Sequence, residues 1–240
     1  MIRRFKQWLS GAAAMPPPIP DEPISVIGDV HGRADLLEKA LAQCSGQTIL
    51  VGDYVDRGEE SASVLRMLAS RPELVCLMGN HEEMLLSFLA DPALIGSRWL
   101  RNGGLQTLAS FGVDGVTETS SEAVLTHACD ALTDAMEVGL IQWLKSLPVL
   151  WQSGNVAVLH AGADPLMPLV DQDPHTFLWG HPQFAKNPRS DGIWIAHGHT
   201  IVDEPKAAAG RISLDTGAYA TGRLTVARIA EGKVDFEVVT

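Results

Sequence analysis

Five short polar clusters carry the chemistry available to this sequence. They are Gly28-Asp29-Val30-His31-Gly32, Gly52-Asp53-Tyr54-Val55-Asp56-Arg57-Gly58, Gly79-Asn80-His81-Glu82, His160-Ala161-Gly162 and His197-Gly198-His199-Thr200. Together they offer carboxylates, an amide, imidazoles and a guanidinium, and no thiolate. Oxygen and imidazole donors of this kind suit Mn²⁺, Fe or Zn²⁺ better than a soft metal. In the second cluster two carboxylates and an arginine follow directly on the apolar run Thr48-Ile49-Leu50-Val51. Charges packed against the end of a buried strand are costly unless something pairs with them. A cation would satisfy the aspartates, and an anion the arginine. A lone D-x-x-D-R reads as a polar turn, and a lone strand-end histidine is more often structural than ligating. Five clusters of one character, each at the end of an expected strand, point instead to a single site. The strand-end groups Asp29, His31, Asp53, Asn80, His81, His160 and His199 exceed what one catalytic metal with an open position requires. They fit two metals that share a carboxylate.

The elements that must position these clusters follow from hydrophobic periodicity. Ile24-Ser25-Val26-Ile27 reads as the first strand, and the apolar positions Leu36, Leu37, Ala40 and Leu41 then recur at helical spacing. A second strand runs through residues 48–51, a helix through 60–70 with Val64, Leu65 and Leu68 on one face, and a third strand through 74–78. Strand, polar tip and helix thus repeat three times. That predicts a parallel sheet with its chemistry at the carboxyl ends of its strands. Residues 82–147 read as a helical insertion over one edge of the site, with helices at 121–131 and 133–146. Its most polar, Gly-rich part is Trp99-Leu100-Arg101-Asn102-Gly103-Gly104. After Pro148 the pattern turns β-rich: a hairpin over 149–159 and a strand at 193–196. Strands at 211–214, 224–229 and 234–239 are expected to complete a second sheet. The fold class expected is α/β, a four-layer α/β/β/α sandwich of two mixed sheets with helices outside.

Bulk properties narrow the function. The 240 residues make one domain, here residues 23–240, preceded by a flexible basic tail and Pro-rich linker over 1–22. A hydrophobic fraction of 46% with 20% charged residues is ordinary for a globular core. The formal net charge of −11 argues against nucleic acid as a partner, since backbone binding needs a basic stripe. Bound metals can still reverse the local sign for an anionic substrate. Cys44, Cys76 and Cys129 are odd in number and far apart, which fits free thiols, a reducing compartment and a cytoplasmic location. None has an arginine six residues on, so a cysteine-phosphatase loop is absent. No apolar run is long enough to span a membrane. The basic, amphipathic residues 1–9 leave weak membrane-surface contact open. Oligomeric state is not legible.

The five clusters, in this order, resemble the motifs of the PPP-type metallophosphatases, calcineurin-like phosphoesterases of the serine/threonine protein phosphatase kind. The likeness covers residues 24–229. The Asn-Gly-Gly loop and Leu214-Asp215-Thr216-Gly217-Ala218 are similar to the compact bacterial branch. The resemblance implies two divalent metal ions, Mn²⁺ first, with Fe or Zn²⁺ as alternatives. It gives Asp29 and His31 to the first metal, Asp53 to both, and Asn80, His160 and His199 to the second. It makes His81 the general acid and Asp56 its support. Arg57, and more weakly Arg101, would grip phosphate. The implied reaction is in-line attack on phosphorus by metal-bound hydroxide, with His81 protonating the leaving oxygen. Many diester and nucleotide enzymes of the wider superfamily carry a second histidine two residues after the Gly-His pair. Here that position is Ile201, which favours the PPP branch. His197 reads as a core or supporting histidine.

One stretch departs from the pattern. Where related bacterial sequences often carry Leu-Trp-Ile-Arg, this chain has Leu178-Trp179-Gly180-His181. Either His181 takes over the phosphate contact, or Arg189 reaches in, or the contact is missing. Three functional readings remain open from sequence. The first is a phosphomonoesterase acting on phosphorylated protein. The second is the same chemistry on a small phosphoester such as a dinucleoside polyphosphate. The third is a metal-free binding module. Glu82-Glu83 reads as the acidic first turn of a helix.

Overall fold

The computed structural model describes residues 15–240; the stretch considered for membrane contact, residues 1–9, lies outside them. In chain order the elements are β1 (Ile24–Ile27), α1 (Ala34–Ala42), β2 (Gln47–Leu50), α2 (Ser61–Ala69), β3 (Val75–Cys76), α3 (Asn80–Ala90), α4 (Pro92–Trp99), a π-helical turn (Leu100–Gly104), α5 (Leu105–Ser110) and α6 (Glu122–Lys145). There follow β4 (Leu150–Ser153), β5 (Val156–Leu159), a 3₁₀ turn (Leu169–Asp171), α7 (Pro174–Trp179), β6 (Trp194–His197), β7 (Lys206–Ala208), β8 (Arg211–Ser213), α8 (Ala218–Thr221), β9 (Leu224–Ala230) and β10 (Lys233–Val239).

Two five-stranded mixed sheets result, ordered β10-β9-β1-β2-β3 and β4-β5-β6-β8-β7. The period-2 alternation of the strands builds the layers. Ile24, Val26, Ile49 and Val51 of the first sheet meet Val156, Val158, Trp194 and Ala196 of the second in a dry inter-sheet core. The alternate residues Ile27 and Leu50 face the helices. Ala157, Leu159 and Ile195 face the other way, onto Phe177 of α7 and Phe184. Phe88, Trp99, Leu108, Leu125 and Leu132, from the expected helical insertion, share one core with Leu36, Leu37 and Leu65 of α1 and α2. They complete the outer helical layer of the first sheet.

Three local expectations are corrected. The strands expected at 224–229 and 234–239 do not join the second sheet; β9 pairs antiparallel with β1, and β10 with β9. The chain passes from β1 to β2 to β3 in one direction, which leaves the other edge of β1 free. β9 is apolar on both faces, with Leu224 and Val226 toward the helices and Ala227 and Ile229 toward the second sheet, so it suits that interior slot. Two helical stretches follow residue 121 within α6, as expected, but the break between them falls at Glu137 (φ 61°, ψ 154°) and not near residue 132. The Pro-rich stretch is extended but held against the second sheet. The Trp194 indole donates to Pro16 O at 2.6 Å, and Asn155 bonds both Pro17 O and the Ile19 N–H. Among the described residues, packing therefore begins well ahead of the expected boundary near Pro23. All three cysteines are free thiols. Among the described residues no helix is long and apolar enough to cross a membrane.

Candidate metal centre

The parallel strands of both sheets deliver their carboxyl ends to one place. The loop after β1 brings Asp29 and His31, that after β2 brings Asp53, and β3 leads to Asn80 at the start of α3. β5 ends at His160 and β6 at His199. The β1 and β2 loops are tied together, since the Val30 and His31 N–H groups both donate to Asp53 O. Five residues here hold left-handed backbone: His31 (φ 44°), Asp53 (56°), Asp56 (70°), Arg57 (70°) and His199 (64°). Such conformations cost about 1–3 kcal/mol each and cluster where geometry matters more than local comfort.

Asp53 is the hub. Its carboxylate lies 3.3 Å from His160 Nε2, 3.5 Å from His31 Nε2 and 3.9 Å from His81 Nε2. Asn80 Oδ1 is 2.8 Å from both His160 Nε2 and His199 Nδ1. The far nitrogens of two histidines are already committed: His31 Nδ1 to Val55 O at 2.8 Å and His160 Nδ1 to Val51 O at 3.1 Å. Those bonds fix the rings with Nε2 turned toward the Asp53 carboxylate, where it could ligate a cation. Asp29 is buried, and its Oδ2 accepts the His199 N–H at 2.8 Å while Oδ1 has no partner among the described residues. Gly198 makes room for that oxygen, because a Cβ there would stand 1.7 Å from it.

The electrostatics ask for a cation. Burial, then Asp215 close by, hold Asp29 well above the usual carboxylate range. Burial works against ionisation of Asp53 too, but His160 and His81 outweigh it and keep its carboxyl well below that range. Burial also disfavours a charged His160, yet Asp53 raises it to about 9. Burial pushes His31 down to about 3, and burial with His160 pushes His199 down to about 4. A buried carboxylate that draws positive charge from its neighbours, beside an orphaned carboxylate oxygen and neutral imidazoles, fits divalent metal ions. Two donor sets share Asp53: His31, Asp53 and His81, and Asp53, His160 and His199.

His81 differs from the other histidines. Its Nδ1 is 2.6 Å from Asp56 Oδ2, and burial of the ring is outweighed by Asp53 and Asp56, which raise its pKa. Asp56 is itself fully buried and heavily bonded. The Trp99 indole N–H donates to both its oxygens at 3.1 and 3.0 Å, and the Thr107 hydroxyl to Oδ1 at 2.6 Å. Arg57 Nη1 donates to His31 Nε2 at 3.0 Å, and its guanidinium lies 4.9 Å from the Tyr219 ring centroid. Gly103, at φ 107°, lets the π-helical turn close on Arg57: its carbonyl accepts the Arg57 N–H, and a Cβ would lie 2.5 Å from that nitrogen. Arg101 stands exposed on the same turn.

Sequence reasoning missed several supports. Glu82 is not merely the acid of a helix turn. It is fully buried and accepts four backbone N–H groups, from Asp53, Tyr54, Val55 and Gly79, at 2.7–3.2 Å. Burial and Asp53 push it up to about 7 against those donors. Its place next to Asn80-His81 was the available signal; Trp99 and Thr107 gave none. Arg189 does not reach the site, since it is tied to Asp191 and to the carbonyls of Asp164 and Met167. His181 lines a groove of about 460 Å³ beside His199 and sits 3.7 Å from Asp164. His197 is a core histidine between Gly198 O and Ser213 Oγ, against Phe184.

Comparison with known proteins defines the class: over residues 22–217 the chain matches the calcineurin-like phosphoesterases and belongs to that family. It is a phosphatase-type hydrolase whose family works with divalent metals. Serine/threonine-protein phosphatase 1 of Salmonella typhimurium is 30% identical across 85% of this chain and 90% of its own length. The asymmetrical bis(5'-nucleosyl)-tetraphosphatase PrpE of Oceanobacillus iheyensis is 27% identical across 87% and 89%. The same fold recurs in a metallophosphoesterase from Sphaerobacter thermophilus (TM-score 0.57, 16% identity, 91% and 89% covered). It also recurs in a cold-active protein-tyrosine phosphatase from Shewanella (TM-score 0.59, 16% identity, 91% and 80% covered).

Proposed function

We propose that this chain hydrolyses phosphomonoesters on phosphorylated serine or threonine side chains, using two divalent metals. The observation that carries the reading is the Asp53 hub, with its ring of imidazoles, next to the separately buried His81–Asp56 pair. Asp29, His31 and Asp53 would hold one metal, and Asp53, Asn80, His160 and His199 the other, with Mn²⁺ the first choice and Fe or Zn²⁺ the alternatives. Metals bound there supply Lewis-acid stabilisation of phosphoryl oxygens and lower the pKa of water.

The protein's own groups do the rest. Arg57, steadied by Tyr219 and the Gly103 carbonyl, binds a phosphoryl oxygen. His81 donates a proton from Nε2 to the leaving oxygen, because Nδ1 is occupied by Asp56. Asp56 is anchored by Trp99 and Thr107, so the ring keeps its angle through the proton transfer. A positioned acid of this kind contributes about 10²–10⁴-fold. His81 Nε2 stands 3.9 Å from the Asp53 carboxylate, farther than His31 or His160, and Asp53 and Asp56 outweigh burial to raise its pKa, which supports a proton-carrying role over a ligand role.

A second reading, hydrolysis of dinucleoside polyphosphates, is supported by the Oceanobacillus relative, which matches nearly the whole chain. The deciding experiment is a competition assay. Metal-loaded protein receives a Ser-phosphorylated peptide and diadenosine tetraphosphate together, with a parallel arm in EDTA. Preferential turnover of the peptide supports the first reading and preferential turnover of the dinucleotide the second. Turnover of either in EDTA would refute metal dependence.

A further inference from the structure

The outer face of the second sheet is only half covered. In the β6–β8–β7 register, Ile195, His197, Arg211, Ser213, Lys206 and Ala208 alternate with Ala196 and Ile212, which face the first sheet. The first six therefore point outward. Ile195 packs under Phe184 and α7. Beyond Phe184 the face opens into a cavity of about 270 Å³ whose lining includes Thr200, Lys206, Arg211 and Ser213. Among the described residues that lining has two cations and no carboxylate, on a chain of net charge −11. Arg211 is held in place: its Nη1 donates to Phe184 O and Asn187 O at 3.1 and 3.3 Å. Its other guanidinium nitrogens have no partner among the described residues.

This cavity adjoins the groove beside the metal centre. The two share Phe184, Ala185 and Thr200, and the groove continues past His181 to His199. A lysine on an edge strand can serve simply to deter strand pairing. That role does not account for a fixed Arg211 with free donors, or for the shared wall with the groove at His199.

We propose that the Lys206–Arg211 end is an anion subsite for the substrate, joined to the metal centre by the groove that passes His199. The preferred phosphoester then carries a second negative group, phosphoryl or carboxylate, displaced from the scissile phosphorus along the groove. The inference rests on the phosphoesterase reading above and adds a substrate class to it.

The test compares wild type with Lys206→Glu and Arg211→Gln. Substrates are p-nitrophenyl phosphate, a phosphoserine peptide with flanking acidic residues, its neutral counterpart, and diadenosine tetraphosphate. The ratio of kcat/KM for a doubly anionic substrate to that for p-nitrophenyl phosphate should fall about tenfold in Lys206→Glu, the scale of one charge-assisted contact. Whether the peptide or the dinucleotide ratio falls identifies the source of the second charge. Unchanged ratios for both overturn the proposal. A second readout needs no turnover. Inorganic tripolyphosphate titrated into metal-free protein should give saturable amide shifts at Thr200, Lys206 and Ser213 that weaken in Lys206→Glu. Their absence overturns the proposal as well. Saturable shifts in a protein that hydrolyses no phosphoester would instead sink the functional reading, and with it the subsite's role in substrate choice.

Discussion

Glu82→Gln tests how the Asp53 loop is held. Glu82 Oε2 accepts from Asp53 and Gly79, and Oε1 from Tyr54 and Val55. A glutamine keeps one acceptor oxygen; its NH₂ must face the other pair of N–H groups, whichever way the amide is turned. Two buried donors are then orphaned at about 1–3 kcal/mol each, so the loss is about 2–6 kcal/mol. For a chain of this size a kilocalorie shifts Tm by roughly 2–4 °C, which puts the fall near 10 °C. The loop that moves carries Asp53, the carboxylate both metals would share, so metal content should fall together with Tm. The assay is thermal unfolding by circular dichroism with and without Mn²⁺, paired with elemental analysis. An exposed-site control such as Glu118→Gln should shift nothing. A Glu82→Gln protein that melts within about 2 °C of wild type and keeps its metal would refute the claim that these four bonds hold the loop.

Three further outcomes are expected. Trp99→Phe removes the donor shared by both Asp56 oxygens; kcat should drop about tenfold for alkyl phosphates and less for p-nitrophenyl phosphate, and a uniform drop across leaving groups would contradict the positioning role. Asp53→Asn should lower bound metal below two equivalents as well as turnover, so a variant that retains both metals would show that Asp53 is not the bridge. Burial pushes His197 down to about 4 from 6.5, so the folded state resists a proton that the unfolded state accepts. Stability is then full above pH 6.5 and declines by about 3 kcal/mol as pH falls toward 4. Urea midpoints against pH should show that decline in wild type and a shallower one in His197→Gln; identical curves would refute it.

The sequence by itself determined the chemistry and the frame around it. Each donor group sits at the end of an apolar strand, and strand ends are local: Ile24-Ser25-Val26-Ile27 must stop where Gly28-Asp29 begins. The order of the five clusters therefore pointed to Asp29, His31, Asp53, Asn80, His160 and His199 meeting, and the structure gathers them at one place. The expected four-layer sandwich likewise put each sheet between two apolar layers, as the two faces of β1 now show: Ile27 faces the helices, and Ile24 and Val26 the second sheet. Only tertiary structure decided the neighbours. Strand patterns carry no label for their partner, so β9 could be assigned to the β1 edge only once the free slot there was visible. Trp99 and Thr107 reach Asp56 from 43 and 51 residues away. Glu82 turns from its helix to bind a loop 27–29 residues upstream. These contacts depend on packing α3, α4 and α5 against the first sheet. An indole, a hydroxyl and a carboxylate look the same in sequence whether they face water or a buried aspartate, and the close approach of elements distant in the chain is what tells them apart.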